Sequence, residues 1–112
     1  MIVKKGQIYL ADIPSLTGHP QKGRRPVVII QNDTGNKHSP TVIVACLTSQ
    51  IKKTDQPTHL IFRDFPGRIK EGMILCEQIH TIDKAHLIFR LGELNETGLK
   101  ALNKALKISL DL

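Results

Sequence analysis

Tryptophan is absent from this 112-residue chain, and its aromatics are four: Tyr9, Phe62, Phe65 and Phe89. A sheet face that stacks bases on aromatic rings needs more than that, so recognition of the RRM type is excluded. Cysteine is nearly as scarce. Cys46 and Cys76 sit inside apolar runs and read as buried free thiols, a disulfide requiring their strands to be neighbours. Five histidines are scattered without ligand spacing, and neither Cys-x-x-Cys, His-Glu-x-x-His nor clustered carboxylates occur. No metal and no cofactor is expected. No apolar run approaches the length of a membrane span, and Met1–Gly6 lacks the apolar core of a secretion signal. The chain is expected to be cytoplasmic, without a membrane partner. Repeats, low-complexity stretches and linkers are also missing, so residues 1–112 are expected to form one domain.

What is present is positive charge. Sixteen Lys+Arg against ten Asp+Glu give a formal +6, which favours a polyanionic partner, nucleic acid being the commonest. Charge alone does not separate RNA from DNA, or either from an acidic protein.

The pattern predicts strands punctuated by Gly/Pro turns. Gln7–Ile13 is a first strand, ended by Pro14. Val27–Gln31 is short, β-branched and continuously apolar, as expected of a strand buried on both faces. Asn32–Pro40 is turn chemistry. Thr41–Leu47 is the strongest strand, and Lys52–Pro57 is a polar linker leading to a strand at Thr58–Arg63. Met73–Thr81 is a strand whose second half turns polar. Ile82–His86 is expected to make a short helical turn and Leu87–Leu91 a last strand. The tail changes period: Leu99, Leu102, Ala105, Leu106 and Leu110 share a helical face opposite Lys100, Lys104 and Lys107, with Asn95 as N-cap. The expected class is mainly β with a C-terminal helix, the sheet strongly bent or closed into a small barrel.

The most informative stretch is residues 18–32, a basic loop carrying His19, Lys22, Arg24 and Arg25 that runs into a strand opened by Pro26. Arginines at a strand end suit phosphate, because guanidinium is planar, always charged and donates in pairs. A solvated basic hairpin tip is the alternative. Two other polar clusters end or interrupt apolar strands: Thr48-Ser49-Gln50, and Glu77-Gln78 with His80-Thr81. Brought together, they would offer a fixed cation, a hydroxyl, a carboxylate and an imidazole. That inventory fits cleavage of RNA, which carries its own nucleophile in the 2′-hydroxyl and needs positioning, two proton transfers and neutralisation of phosphorane charge. The acid–base pair would come from Glu77, His19 and His80. The alternative is that Thr48 and Ser49 serve only as a turn cap and Glu77 as half of a structural ion pair.

Taken in order, several stretches resemble the MazF/PemK family of toxin endoribonucleases, in particular its Gram-positive-type branch. They are Val3–Asp12, Gly23-Arg24-Arg25-Pro26-Val27-Val28-Ile29-Ile30-Gln31-Asn32-Asp33, Ser39–Ala45, Leu47-Thr48-Ser49-Gln50-Ile51-Lys52-Lys53, Pro57-Thr58-His59 and Glu77-Gln78-Ile79-His80-Thr81-Ile82-Asp83-Lys84. The resemblance implies an SH3-like small barrel of the CcdB/MazF type, and a homodimer that cuts single-stranded RNA at a short sequence without metal. The ends would be 2′,3′-cyclic phosphate and 5′-hydroxyl, and a MazE-like antitoxin with an acidic tail would block the groove. Arg25 and Thr48 fall on the family's catalytic arginine and threonine. His19 and Glu77 match acid–base residues of the Kid/PemK branch. Lys22, Arg24, Ser49, Gln50, Gln78 and His80 become RNA-contact candidates. Three departures stand out: Pro20 where many relatives have Glu, Leu75 where that branch has Arg, and His80 where Arg is common, exchanging a permanent charge for a titratable imidazole. A non-catalytic toxin on the same fold, binding gyrase as CcdB toxins do, is the alternative function.

Overall fold

The computed structural model describes residues 2–13, 23–52, 55–62 and 71–112. Among them, six strands form one antiparallel sheet: β1 (Gln7–Ile13), β2 (Gly23–Ile29), β3 (Thr41–Thr48), β4 (His59–Phe62), β5 (Gly72–Asp83) and β6 (Leu87–Glu93). Two helices, α1 (Asp33–His38) and α2 (Glu96–Leu110), and a 3-10 turn at Lys84–His86 complete the described elements. The strand order is β4-β5-β3-β2-β1-β6. The sheet forms an open barrel: among the described residues no strand pairing joins its two edges, β4 and β6.

Alternation explains how so small a sheet carries a core on each face. Val27 and Ile29 in β2 join Val42, Val44 and Cys46 in β3, with Tyr9 and Ile82, in one buried layer. Val28, Ala45, Leu47, Ile74 and Cys76 point the other way and are covered by Leu102, Ala105 and Leu106 of α2. Successive strand side chains point to opposite faces, so each central strand must be apolar at consecutive positions. The continuous run Val27-Val28-Ile29, completely buried, is that requirement met. The two cysteines lie in different layers and are free, though their strands are neighbours. Burial pushes the Cys76 thiol up to about 11, the charge of Glu77 adding to it, so it is no nucleophile at neutral pH.

The amphipathic tail forms α2 as its period predicts, with the Asn95 side chain accepting the Gly98 N–H at 2.8 Å. Leu110 departs from the expected core face: it is 52 % exposed, at the end of the helix beyond the buried layer. Gly6 lets the helix sit close. It adopts φ +91°, and a Cβ there would come within 2.5 Å of the Leu99 side chain.

Three boundaries differ from the sequence expectation. The strand expected at Val27 starts at Gly23, so Arg24 and Arg25 belong to β2 and Pro26 lies within it. Pairing of β2 with β3 begins only at Val27↔Cys46, so Pro26 occupies a stretch paired on the β1 side alone, where a missing N–H is tolerated. The segment read as turn, Asn32–Pro40, contains α1. Asn32 caps it by accepting the Gly35 N–H at 2.7 Å, and buried Asn36 ties it down by bonding the Gln31 carbonyl and amide at 2.9 and 3.1 Å. Asp33 adds a bond from the Lys5 N–H at 2.8 Å, which holds its carboxyl below the usual range. Finally, β5 is longer than expected and bulged: Ala45 pairs with Ile79 and Cys46 with Leu75, leaving Cys76, Glu77 and Gln78 between the two paired stretches.

Leu102 lies at the centre of the layer under α2 with no exposed surface. Leu102→Ala is expected to cost about 2–5 kcal/mol of stability, read as a lowered urea midpoint. An unchanged midpoint would show that α2 is not part of the cooperative core.

Candidate phosphate-binding site at the β2 and β3 strand ends

Arg25 and Thr48 sit 23 positions apart in sequence and are brought together by one ladder. The ladder ends at Val27↔Cys46, and its register, carried two residues further, would set Arg25 opposite Thr48. Both then share the face of Val27 and Cys46. The side chains agree with this. The Arg25 guanidinium donates to the Leu47 carbonyl at 3.3 Å, at the residue before Thr48, and its charge partly offsets the upward push of burial on the Cys46 thiol. Among the described residues the half-buried guanidinium spends one N–H, on Leu47, and has further donors to offer a ligand.

Thr48 is held by its own turn. Its Oγ1 accepts the Gln50 N–H at 3.2 Å, so the turn-capping role considered for it is real. A hydroxyl has one donor and two acceptor sites, and this bond uses one acceptor, leaving the O–H to donate. On the other side Thr48 pairs with Met73 of β5, and neighbouring Gly72 packs on its backbone. A Cβ at Gly72 would lie 2.4 Å from the Thr48 carbonyl oxygen and 3.1 Å from the Phe62 ring. Gly72 was missed from sequence; its signal was a glycine immediately before an apolar strand. Ser49 and Gln50 are exposed beside the pair.

The other candidates part company. Arg24 points to the face opposite Arg25, where the register sets it across from Asp12, and the two charges stand 3.8 Å apart, both largely exposed. The carboxylate missing from its sequence neighbourhood is supplied by β1. His80 was expected to meet RNA, but the bulge in β5 turns it inward: it pairs with Val44 and is 8 % exposed. Leu75 is likewise buried. Gln78 is half-buried, its Oε1 without a hydrogen-bond partner among the described residues. Glu77 does not join the arginine. It lies in the bulge of β5, beyond the stretch that pairs with Thr48, and its carboxylate is held by β4 instead. His59 Nε2 meets Oε2 at 2.8 Å and the Thr58 hydroxyl donates to Oε1 at 3.4 Å. The His59 side chain is only 6 % exposed. His19 and Lys22 lie outside the described residues. Among the described residues, no group of three or more His, Cys, Asp or Glu is placed to hold a metal ion.

With that geometry in place, comparison with known proteins is informative. The family described as PemK-like, MazF-like toxin of type II toxin–antitoxin systems matches residues 4–110. This chain belongs to that family. Within it, a protein of Staphylococcus saprophyticus named Endoribonuclease MazF is 47 % identical over 99 % of this chain and 93 % of that protein. A mycobacterial endoribonuclease solved with its cognate antitoxin superposes with a TM-score of 0.81 at 26 % identity, covering 98 % of this chain and 96 % of that one. A MazE–MazF crystal structure from Deinococcus radiodurans, 18 % identical, shares the fold with a TM-score of 0.79 over 100 % of this chain and 98 % of the other. The expected MazF-type architecture is therefore the observed one.

Gly72→Ala is expected to push the end of β3 away and to cost about 1–3 kcal/mol. Urea unfolding and the amide resonances of Thr48 and Gln50 check it. Unmoved resonances with unchanged stability would show that Thr48 does not depend on that close approach.

Proposed function

We propose that this MazF-family chain is the toxin of a type II toxin–antitoxin system and a sequence-specific endoribonuclease acting on single-stranded RNA in the cytoplasm. The observation that carries the reading is the meeting of Arg25 with the Thr48 strand end, in a chain 47 % identical to a protein named as an endoribonuclease. A homodimer and a MazE-like antitoxin belong to the same proposal, supported by the antitoxin complexes among its structural relatives. Among the described residues no helix is long and apolar enough to cross a membrane.

The chemistry follows from the groups present. The 2′-hydroxyl of the substrate attacks the adjacent phosphorus, the 5′-oxygen leaves, and the products carry a 2′,3′-cyclic phosphate and a 5′-hydroxyl. Negative charge rises on the non-bridging oxygens during attack. Arg25 neutralises it with its free N–H groups, and Thr48 donates its O–H to the same phosphate, the Gln50 N–H fixing the hydroxyl's orientation. Because Glu77 is held by His59 and His80 is buried, proton transfer falls to His19 in the segment after β1, which takes the 2′-hydroxyl proton and returns it to the departing 5′-oxygen. Ser49 and Gln50 flank the phosphate, and Lys22 adds charge.

Arg25→Ala is expected to lower cleavage of a long single-stranded RNA at least about 100-fold with an unchanged melting curve, while excess EDTA leaves the parent's activity intact. Cutting at the parental rate by the variant, or inhibition by the chelator, would overturn the assignment. Intact RNA with retention on gyrase would instead favour a non-catalytic toxin.

A further inference from the structure

The bulge in β5 builds a second polar feature that the Arg25–Thr48 pair does not use. Cys76 is pinned there from two sides: its N–H donates to the Thr58 carbonyl at 3.0 Å, and its carbonyl accepts the Ser109 hydroxyl of α2 at 2.8 Å. The next residue, Glu77, is thereby presented outward with its carboxylate clamped by His59 and Thr58. The imidazole is buried and the carboxylate is not: the His59 side chain is 6 % exposed and that of Glu77 is 42 % exposed. A buried imidazole aimed at an open carboxylate orients it while leaving its outer edge to solvent.

We propose that Thr58, His59 and Glu77 form a base-reading site, in which Glu77 accepts hydrogen bonds from an amino-bearing base flanking the scissile linkage and His59 is the positioning residue. This rests on the ribonuclease reading and adds to it a residue set for specificity. An ionised carboxylate only accepts, with about four lone-pair positions on its two oxygens. The His59 Nε2–H occupies one on Oε2 and the Thr58 hydroxyl one on Oε1, so each oxygen keeps an acceptor facing outward. Those match the exocyclic amino groups of adenine and cytosine, or the paired N–H donors of guanine. Uracil has no exocyclic amino group and offers only N3–H, flanked on both sides by carbonyl oxygens that repel the carboxylate. Glu77 sits in the bulge, beyond the Met73–Leu75 stretch that pairs with the Thr48 end of β3, and is held toward β4, so the contact falls to a neighbouring base and not to the phosphate under attack. The ring's other nitrogen, Nδ1, is buried without a partner among the described residues, so the hydrogen bond to Glu77 is what sets its orientation.

The test is cleavage of an RNA pool randomised around the cut, with sequencing of the 5′-hydroxyl ends. Wild type is expected to show one flanking position at which amino-bearing bases are preferred over uracil by about tenfold or more. In Glu77→Gln, whose amide both donates and accepts, cutting at the preferred sites falls and cutting at uracil sites rises, collapsing that ratio while other positions keep theirs. His59→Leu collapses it in the same direction, His59→Gln restores part of it by returning an N–H donor, and Thr58→Val, which removes one hydroxyl, weakens it least. Glu77→Gln with the parental base preference overturns the proposal. So does a variant that loses cutting at all sites equally, which would put Glu77 in the chemical step. A wild-type protein that leaves the pool uncut overturns the ribonuclease reading itself, and this inference with it.

Discussion

The register of β2 against β3 is the constraint on which the rest depends. Both strands are buried on two faces, and a slip of one residue would exchange Val27 and Ile29 for Val28 between the two apolar layers. Each layer has its own filling, α2 on one side and the curled sheet on the other, so such a slip costs core packing throughout the molecule. Rigid specification of the apolar register then fixes, two residues beyond it, which polar side chains meet. The Arg25 guanidinium reaches the Leu47 carbonyl, one residue before Thr48, because Val27 faces Cys46. The site is an extension of the core, and its precision is inherited from residues that never touch a ligand.

The same logic explains why both ends of this strand pair differ in chemistry. At the Thr41 end the polar groups are consumed internally: Asn36, Gln31, Asp33 and Lys84 bond one another and the backbone, anchoring α1. At the Thr48 end few internal partners are recorded for the described groups. A guanidinium with spare donors and a hydroxyl with a free O–H remain there, a combination that stability does not require and that phosphate chemistry uses.

Much of this was legible beforehand. Apolar β-branched runs between Gly/Pro turns marked the strands, the 3.6-residue period marked α2, and Asn95 stood where an N-cap must. The resemblance to MazF toxins singled out Arg25 and Thr48, whose strands are neighbours in the sheet and whose roles belong to the proposal. What escaped were features produced by non-local hydrogen bonds. The segment from Asn32 to His38 has the composition of a turn, and becomes a helix because Asn32 caps it and Asn36 is buried against Gln31. Arg24 lost its independence to Asp12 through cross-strand pairing. The bulge between Leu75 and Ile79 has no local signature, yet it decides that His80 turns inward and Glu77 outward toward His59. A side chain's face can be counted along a regular strand; across a bulge the count fails.

The central claim is that Arg25 and Thr48 act on one phosphate as a unit, and a double-mutant cycle on single-turnover RNA cleavage tests it most directly. If the two share a transition-state oxyanion, Arg25→Ala and Thr48→Val will be strongly non-additive, the double variant losing far less than the product of the single losses. Losses that multiply independently would mean that the two groups work on separate events, and that their meeting across the strands is not the basis of the activity.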